Sequence, residues 1–240
     1  MSKTNLAYKR VLLKLSGESL AGPDGQGISQ QIIDYFASEI KKVHDIGVEL
    51  AIVIGGGNFF RGMSNAAKDM NRVTADQMGM MATMINSLAL MDTLNRHNVN
   101  AKIYSAVSMP KIADVFDHLK VMDYLRSNTV TILGGGTGNP FFTTDTAAVL
   151  RAVEINSDVI LKGTRVDGVY SADPEKNPDA EKYDTLSYMQ VIERKLRVMD
   201  ITAITLAMDN NLPIVVFNFD KEDNLKKVVL GELIGTKVQE

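Results

Sequence analysis

With 240 residues, 45% of them hydrophobic, the chain is long enough for one large domain or two small ones with a full core. Lys and Arg total 26 against 29 Asp and Glu, a net charge of -3, which excludes a strongly basic nucleic-acid binder. Cysteine is absent, which excludes disulfide frameworks, thiolate zinc sites, iron–sulfur clusters and cysteine nucleophiles and is compatible with a reducing cytoplasm.

The N-terminus carries Lys3, Lys9 and Arg10, but Lys14 breaks the apolar run 11–13, too short for a signal-peptide core. Residues 10–16 (RVLLKLS) read as a first strand. Such a continuous apolar run suits a strand buried on both faces of a parallel sheet. A helix follows, with Ile32, Ile33, Phe36, Ile40 and Val43 at helical spacing and Gly47 as its stop. Residues 49–54 (ELAIVI) form the second strand. Thr74 with Gln77 reads as a capping box opening a helix to about Arg96. Its apolar stretch is broken by Thr83, Asn86 and Ser87 and falls short of the ~18 residues that a membrane span needs. Strands at 101–106 (AKIYSA) and 129–133 (TVTIL) bracket a helix marked by Leu119, Met122 and Leu125. A helix over 144–155 keeps Ala147, Leu150 and Val153 in register, and 158–162 (DVILK) is the fifth strand. Asp167-Gly168 between valines signals a hairpin. Residues 172–183, polar and containing Pro174 and Pro178, read as an exposed loop. Ser187 with Gln190 opens a short helix, Asp200 caps another to about Asn210, and 213–218 (PIVVFN) is the last strand. The alternation predicts an α/β sandwich with a mainly parallel sheet.

Three glycine-containing loops each follow a predicted strand: Lys14-Leu15-Ser16-Gly17-Glu18, Gly55-Gly56-Gly57-Asn58 ahead of Arg61, and Gly134-Gly135-Gly136-Thr137-Gly138-Asn139-Pro140. Any one such loop is adequately explained as a tight corner. Three together collect at one sheet edge, where backbone N–H groups approach phosphate closely, and Lys14 and Arg61 add positive charge. The standard motifs nevertheless fail. Gly17 and Gly22 have the spacing of the Walker A glycines, but Pro23 stands where the lysine belongs, and Phe60 and Phe141 occupy the third glycine of two dinucleotide-type patterns. His44, His97 and His118 are scattered and read as surface or packing residues rather than metal ligands.

The segments KLSGE at 14–18, IGGGNFFRG at 54–62, MNRVTAD at 70–76, GTGNPFFTTDTAA at 136–148 and TRVDGVYSADP at 164–174 closely resemble the bacterial uridylate kinases, a branch of the amino acid kinase family. The resemblance runs in register from Lys9 to Glu240. It implies a single domain, a three-layer αβα sandwich, with an acceptor lobe of roughly 1–155 and an ATP lobe of roughly 156–240. It implies the reaction ATP + UMP giving ADP + UDP in cytoplasmic pyrimidine biosynthesis, with Mg²⁺ carried by ATP and no metal site of the protein's own. It also implies a homohexamer activated by GTP and inhibited by UTP.

Carried over residue by residue, the resemblance makes Lys14, Asp145, Arg61 and Lys162 the catalytic candidates. Lys14 neutralises charge on the transferred phosphoryl group and Asp145 orients Lys14 or the Mg²⁺–phosphate assembly. Family members that act on amino acids place a second lysine near the start of the late helix; residues 198–206 hold none, and Lys162 is the candidate to replace it. ATP contacts fall on Lys14, Leu15, Ser16, Gly17, Gly57, Arg61, Thr164, Tyr170 and Asp173. UMP contacts fall on Gly56, Asp76, Thr137, Gly138, Asn139, Pro140, Phe141, Phe142, Thr143 and Thr144. Gly22, Pro23, Asp24, Gly25, Gln26 and Gly27 form a loop that the resemblance ties to GTP activation. Without the family match, Lys14 would pass for a lysine snorkelling from a strand end and Asp145 for a first-turn helix carboxylate. The Met78, Met81, Met84, Ile85, Leu88 and Met91 stretch suits core packing about as well as a subunit interface; the resemblance favours the interface. The competing readings are a family member acting on carbamate or a carboxylate, which GTGNPFFTTD argues against, and a non-catalytic nucleotide binder, which the presence of Lys14 and Asp145 argues against.

Overall fold

The middle strands bury both faces, so helices must cover the sheet on both sides. The computed structural model of the chain describes residues 6–60, 69–174 and 176–240 and has that arrangement. In chain order the elements are β1 (Arg10–Leu15), α1 (Gln30–His44), β2 (Glu49–Ile54), α2 (Arg72–Arg96), β3 (Ala101–Ser105), β4 (Asp114–Val115), α3 (His118–Arg126), β5 (Val130–Gly134) and α4 (Thr144–Glu154). There follow β6 (Val159–Thr164), β7 (Val169–Tyr170), β8 (Lys182–Tyr183), β9 (Thr185–Ser187), α5 (Tyr188–Glu193), α6 (Ile201–Asp209), β10 (Ile214–Asn218), α7 (Asn224–Val229) and β11 (Thr236–Gln239). Nine strands form one sheet in the order β4-β3-β5-β2-β1-β6-β10-β11-β9. Its pairings are parallel except β10 with β11.

Strand periodicity divides the apolar residues into two cores. Val11, Leu13 and Leu15 of β1 pack with α1, α2 and α7 on one face. Leu12 of β1, Val53 of β2 and Ile160 of β6 pack with α3, α4, α5 and α6 on the other. The expected αβα sandwich is therefore present.

Two local expectations need correction. Helix α2 starts at Arg72 rather than behind Thr74, because Asn71 accepts from the Val73 N–H at 2.9 Å and takes the cap. The antiparallel ribbon signalled behind the fifth predicted strand is present, but Asp167-Gly168 is not its turn: β7 pairs with β8 across the longer connection 171–181, and β8 takes the last two residues of the expected loop 172–183 into a strand. The short strands β4, β9 and β11 were not legible as strands. Among the described residues, no helix is long and apolar enough to cross a membrane.

Candidate active site

The side-chain parity of β1 puts Lys14 on the face of Leu12, under α3 to α6, and the parity of β6 puts Lys162 on the same face with Ile160. The two lysines are register partners across the parallel pair β1–β6. With side chains only 12% and 16% exposed, two neighbouring ammonium groups require an anion between them. Asp145 supplies it, 2.7 Å from Lys14 Nζ and 3.2 Å from Lys162 Nζ. Lys162 Nζ also donates to the carbonyl of Val198, at 2.5 Å, just ahead of α6. Burial pushes the Asp145 carboxyl up, but the charges of Lys14 and Lys162 outweigh burial and hold it below the usual carboxylate range. Burial, and then the like charge of Lys14, push Lys162 below the usual lysine value against the pull of Asp145.

Asp145 is held by the helix it opens. The hydroxyl of Thr143, the N-cap of α4, accepts from the Asp145 N–H at 3.0 Å and donates to Asp200. Asp200 caps α6, accepting from the Ala203 N–H at 2.9 Å and from the Thr146 hydroxyl at 2.9 Å. One carboxylate and two threonines thus join the N-termini of α4 and α6, both of which present positive dipole ends here. This role of Asp200 was seen in the sequence only as a cap.

The glycine loops close around this cluster. A Cβ on Gly17 would lie 2.2 Å from the Gly55 carbonyl oxygen, so the loops after β1 and β2 can touch only because Gly17 has none. Gly56, Gly57, Asp76, Gly136, Thr137, Phe142, Thr143 and Thr144 line one cavity of about 290 Å³. Asp76 is already engaged there. Its carboxylate accepts from the Phe141 N–H at 2.7 Å and from Arg72 Nε at 2.9 Å. That contact holds Phe141 at φ 72°, a left-handed conformation uncommon for a bulky residue. Gly138 turns at φ 79°, and the Thr137 hydroxyl accepts from the Asn139 N–H at 3.1 Å. Pro140 is half-buried in the same loop. Asn139 lines a neighbouring cavity of about 380 Å³ against α4 and α6. The side chain of Leu15 is in the α1–α2 core, so only its backbone can serve the site. Ser16 leads into a 3₁₀ turn, its carbonyl accepting from Ser19 N–H at 3.2 Å.

Tyr170 and Asp173 line a further cavity, of about 500 Å³, with Arg194, Lys195 and Arg197. The signal for those three cations in the sequence is the run RKLR at 194–197. The Tyr170 hydroxyl donates to Asp167 at 2.5 Å. The Thr164 hydroxyl is turned to the Val166 carbonyl at 2.7 Å and does not line this cavity. Gly22 and Pro23 border a separate space of about 570 Å³ with Tyr35, Arg165 and Asp220; Gly25 and Gln26 lie outside its lining, and Asp24 belongs to the 3₁₀ turn Gly22–Asp24. Gly27 instead donates its N–H to the carbonyl of Asn58. Arg61 falls outside the described residues.

Glycine loops at the carboxyl ends of parallel strands, around a buried Lys–Asp–Lys cluster and two helix N-termini, define an α/β protein built to hold phosphate-bearing ligands. Residues 9–218 match the amino acid kinase family, and the chain belongs to that family. It is 53% identical over 231 residues to the uridylate kinase of Parabacteroides distasonis, covering 96% of this chain and 98% of that one. It also matches the crystal structure of UMP kinase from Bacillus anthracis at 40% identity and a TM-score of 0.93, covering 97% of this chain and 96% of the other. The UMP kinase structure from Ureaplasma parvum matches at 38% identity and a TM-score of 0.90, covering 97% and 99%.

Proposed function

We propose that the chain is a uridylate kinase, moving the γ-phosphoryl group of ATP to the phosphate of UMP to give ADP and UDP. The observation that carries this reading is the Lys14–Asp145–Lys162 cluster beside a glycine-lined cavity, in a chain whose relatives at about half identity are named uridylate kinases. Phosphoryl transfer asks for positioning and charge stabilisation rather than covalent chemistry. The acceptor, a phosphate monoester with a second pKa near ~6, is already mostly ionised at neutral pH, so no general base is needed. Lys14 stabilises charge on the transferred group, Asp145 aims both lysines, and Lys162 serves where family members that act on amino acids use a lysine on the late helix.

The donor set fits a magnesium ion that travels with the nucleotide. Asp145 is engaged by two lysines, and the cluster of three carboxylates found among the described residues (Glu39, Glu222 and Asp223) encloses the ammonium of Lys42. Magnesium with one or two carboxylates and several phosphate oxygens is the usual arrangement for such substrates. When bound, it neutralises phosphate charge.

In this reading the acceptor lobe spans about 1–155 and the donor lobe about 156–240. UMP occupies the cavity of Gly56, Asp76 and the loop from Thr137 to Thr144. ATP runs from Lys14, Leu15, Ser16, Gly17 and Gly57, with Arg61, to Thr164, Tyr170 and Asp173, where Arg194 and Arg197 add charge. The enzyme works in the cytoplasm in pyrimidine nucleotide synthesis as a homohexamer, activated by GTP through the loop from Gly22 to Gly27 and inhibited by UTP. The space bordered by Gly22 and Pro23 supports an effector there. The test is ADP release measured across UMP, CMP, dUMP, carbamate and acetylglutamate. Turnover with UMP well above the rest is expected; turnover with carbamate or acetylglutamate alone would overturn the reading.

A further inference from the structure

The residues that interrupt the apolar run of α2 lie beneath the phosphate loops. Asn86 is fully buried and Asn58 nearly so, at 3% exposure. Their amides face each other. Asn86 Nδ2 donates to Asn58 Oδ1 at 2.7 Å, and Asn58 Nδ2 donates to Asn86 Oδ1 at 3.0 Å. Each amide has a second N–H. That of Asn86 goes to the Gly55 carbonyl at 2.6 Å, and that of Asn58 to the Gly27 carbonyl at 2.7 Å. All four amide hydrogens have acceptors, on two side chains that are almost wholly buried. One turn earlier on α2, the Thr83 hydroxyl accepts from the Gly135 N–H at 2.9 Å. Helix α2 thereby grips the loops after both β2 and β5.

We infer that Asn58 and Asn86 are positioning residues for the proposed phosphoryl transfer: their amide pair sets the orientation of the glycine loops that receive the phosphates. The inference rests on the kinase reading above and assigns a role to residues outside it. A trans peptide holds C=O and the next N–H antiparallel. With the Gly55 carbonyl drawn to Asn86, the Gly56 N–H is turned away from Asn86, on a residue that lines the acceptor cavity. The Asn58 amide oxygen also lies 2.7 Å from where a Cβ of Gly17 would be, so the same amide backs the loop after β1. Packing alone would be met by two apolar residues of the same shape, whereas a satisfied buried polar network holds one orientation.

The test is the paired variant Asn58→Leu with Asn86→Leu, assayed with UMP and ATP beside the wild-type protein. Replacing both side chains removes the reciprocal amide pair but leaves the Gly55 and Gly27 carbonyls without their donors, so a melting temperature below wild type is expected and the kinetics are read on the folded molecules. With the loops no longer oriented, KM for UMP should rise and kcat/KM should fall about 10²-fold, the scale of a small misplacement of reacting groups. A merely structural role would lower the folded fraction, and with it kcat, and leave KM unchanged. Wild-type values of KM and kcat/KM in the folded pair variant overturn the inference. Should that variant not fold, Asn86→Ala is read the same way, on KM of the folded molecules: raised KM supports the inference, unchanged KM overturns it. An inactive wild-type chain would overturn the kinase reading and this inference with it; an active wild type beside an unaltered variant overturns only the inference.

Discussion

Lys14 and Lys162 repel each other across adjacent strands, and Asp145 turns that repulsion into a fixed cationic pair. In the proposed transfer, removing Lys14 takes away one charge contact with the developing transition state. Lys14→Ala should lower kcat by about 10²–10³, the cost of one such contact (~2.7–4 kcal/mol), with the circular dichroism of the native fold retained. Near-normal turnover in the purified variant would remove Lys14 from the mechanism. Asp145 gives a second prediction, in pH. Its folded pKa lies below the ordinary 3.8. Its stabilisation is therefore complete above that ordinary value and is lost as pH falls through the lower folded one. The melting temperature of wild type relative to Asp145→Asn should shrink on acidification below about pH 4, as the carboxylate is protonated. A difference that stays constant down to pH 3 would show that the ion pairs contribute nothing to stability.

Elements bring these residues together through their ends. Thr143 caps α4 and at the same time donates to Asp200, the cap of α6. Thr143→Ala should cost about 0.5–2 kcal/mol by denaturant titration, as cap deletions do, and should lower kcat because Asp145 sits on the freed turn. Loss of stability without loss of kcat would confine Thr143 to a structural role. Much of this was legible in the sequence. Apolar runs announced six of the parallel strands, and Asp200 and Ser187 announced the helices they cap. Asn98, Asn128, Asn156 and Asn211 adopt left-handed φ just past α2, α3, α4 and α6, which is where asparagine follows glycine in preference. Strands of two to four residues such as β4 and β11 were not legible, because periodicity needs more residues than they have. Nor did the sequence reveal the purpose of Thr83 and Asn86. Each reads as a defect in an apolar helix until the loops they hold, 52 residues from Thr83 and 31 from Asn86, are brought against them. The Lys14–Asp145 pair became a site by resemblance, and its geometry needed the strand register.

At the scale of the whole molecule, α2 has apolar residues on more sides than the core can use. Met80, Met84, Leu90 and Leu94 face inward, whereas Met78, Met81, Ile85 and Leu88 remain 39%, 36%, 46% and 37% exposed. Their spacing of three, four and three residues forms one stripe along the helix. An exposed stripe of this kind is what a closed symmetric oligomer buries in repeated interfaces. The stripe lies on the helix whose inner side grips two glycine loops through Thr83 and Asn86, so a contact made there would stand across the helix from those loops. We predict a homohexamer, with light scattering giving about six times the 26.3 kDa of the chain. Met81→Glu with Ile85→Glu should shift the mass toward smaller species, since a charge buried in an apolar contact without a partner is strongly unfavourable. A monomer at 26.3 kDa in the wild-type protein would overturn the assembly. Coupling between sites commonly amounts to ~1–3 kcal/mol, so GTP should change rate or apparent affinity several-fold rather than switch activity on and off, and UTP should oppose it. The charge-substituted variant should lose that response together with the assembly. A hexamer whose rate stays flat across GTP and UTP titrations would leave the oligomer standing and remove the regulation, because assembly through α2 and an effector bound elsewhere are separable events that only a shared shift in subunit state would link.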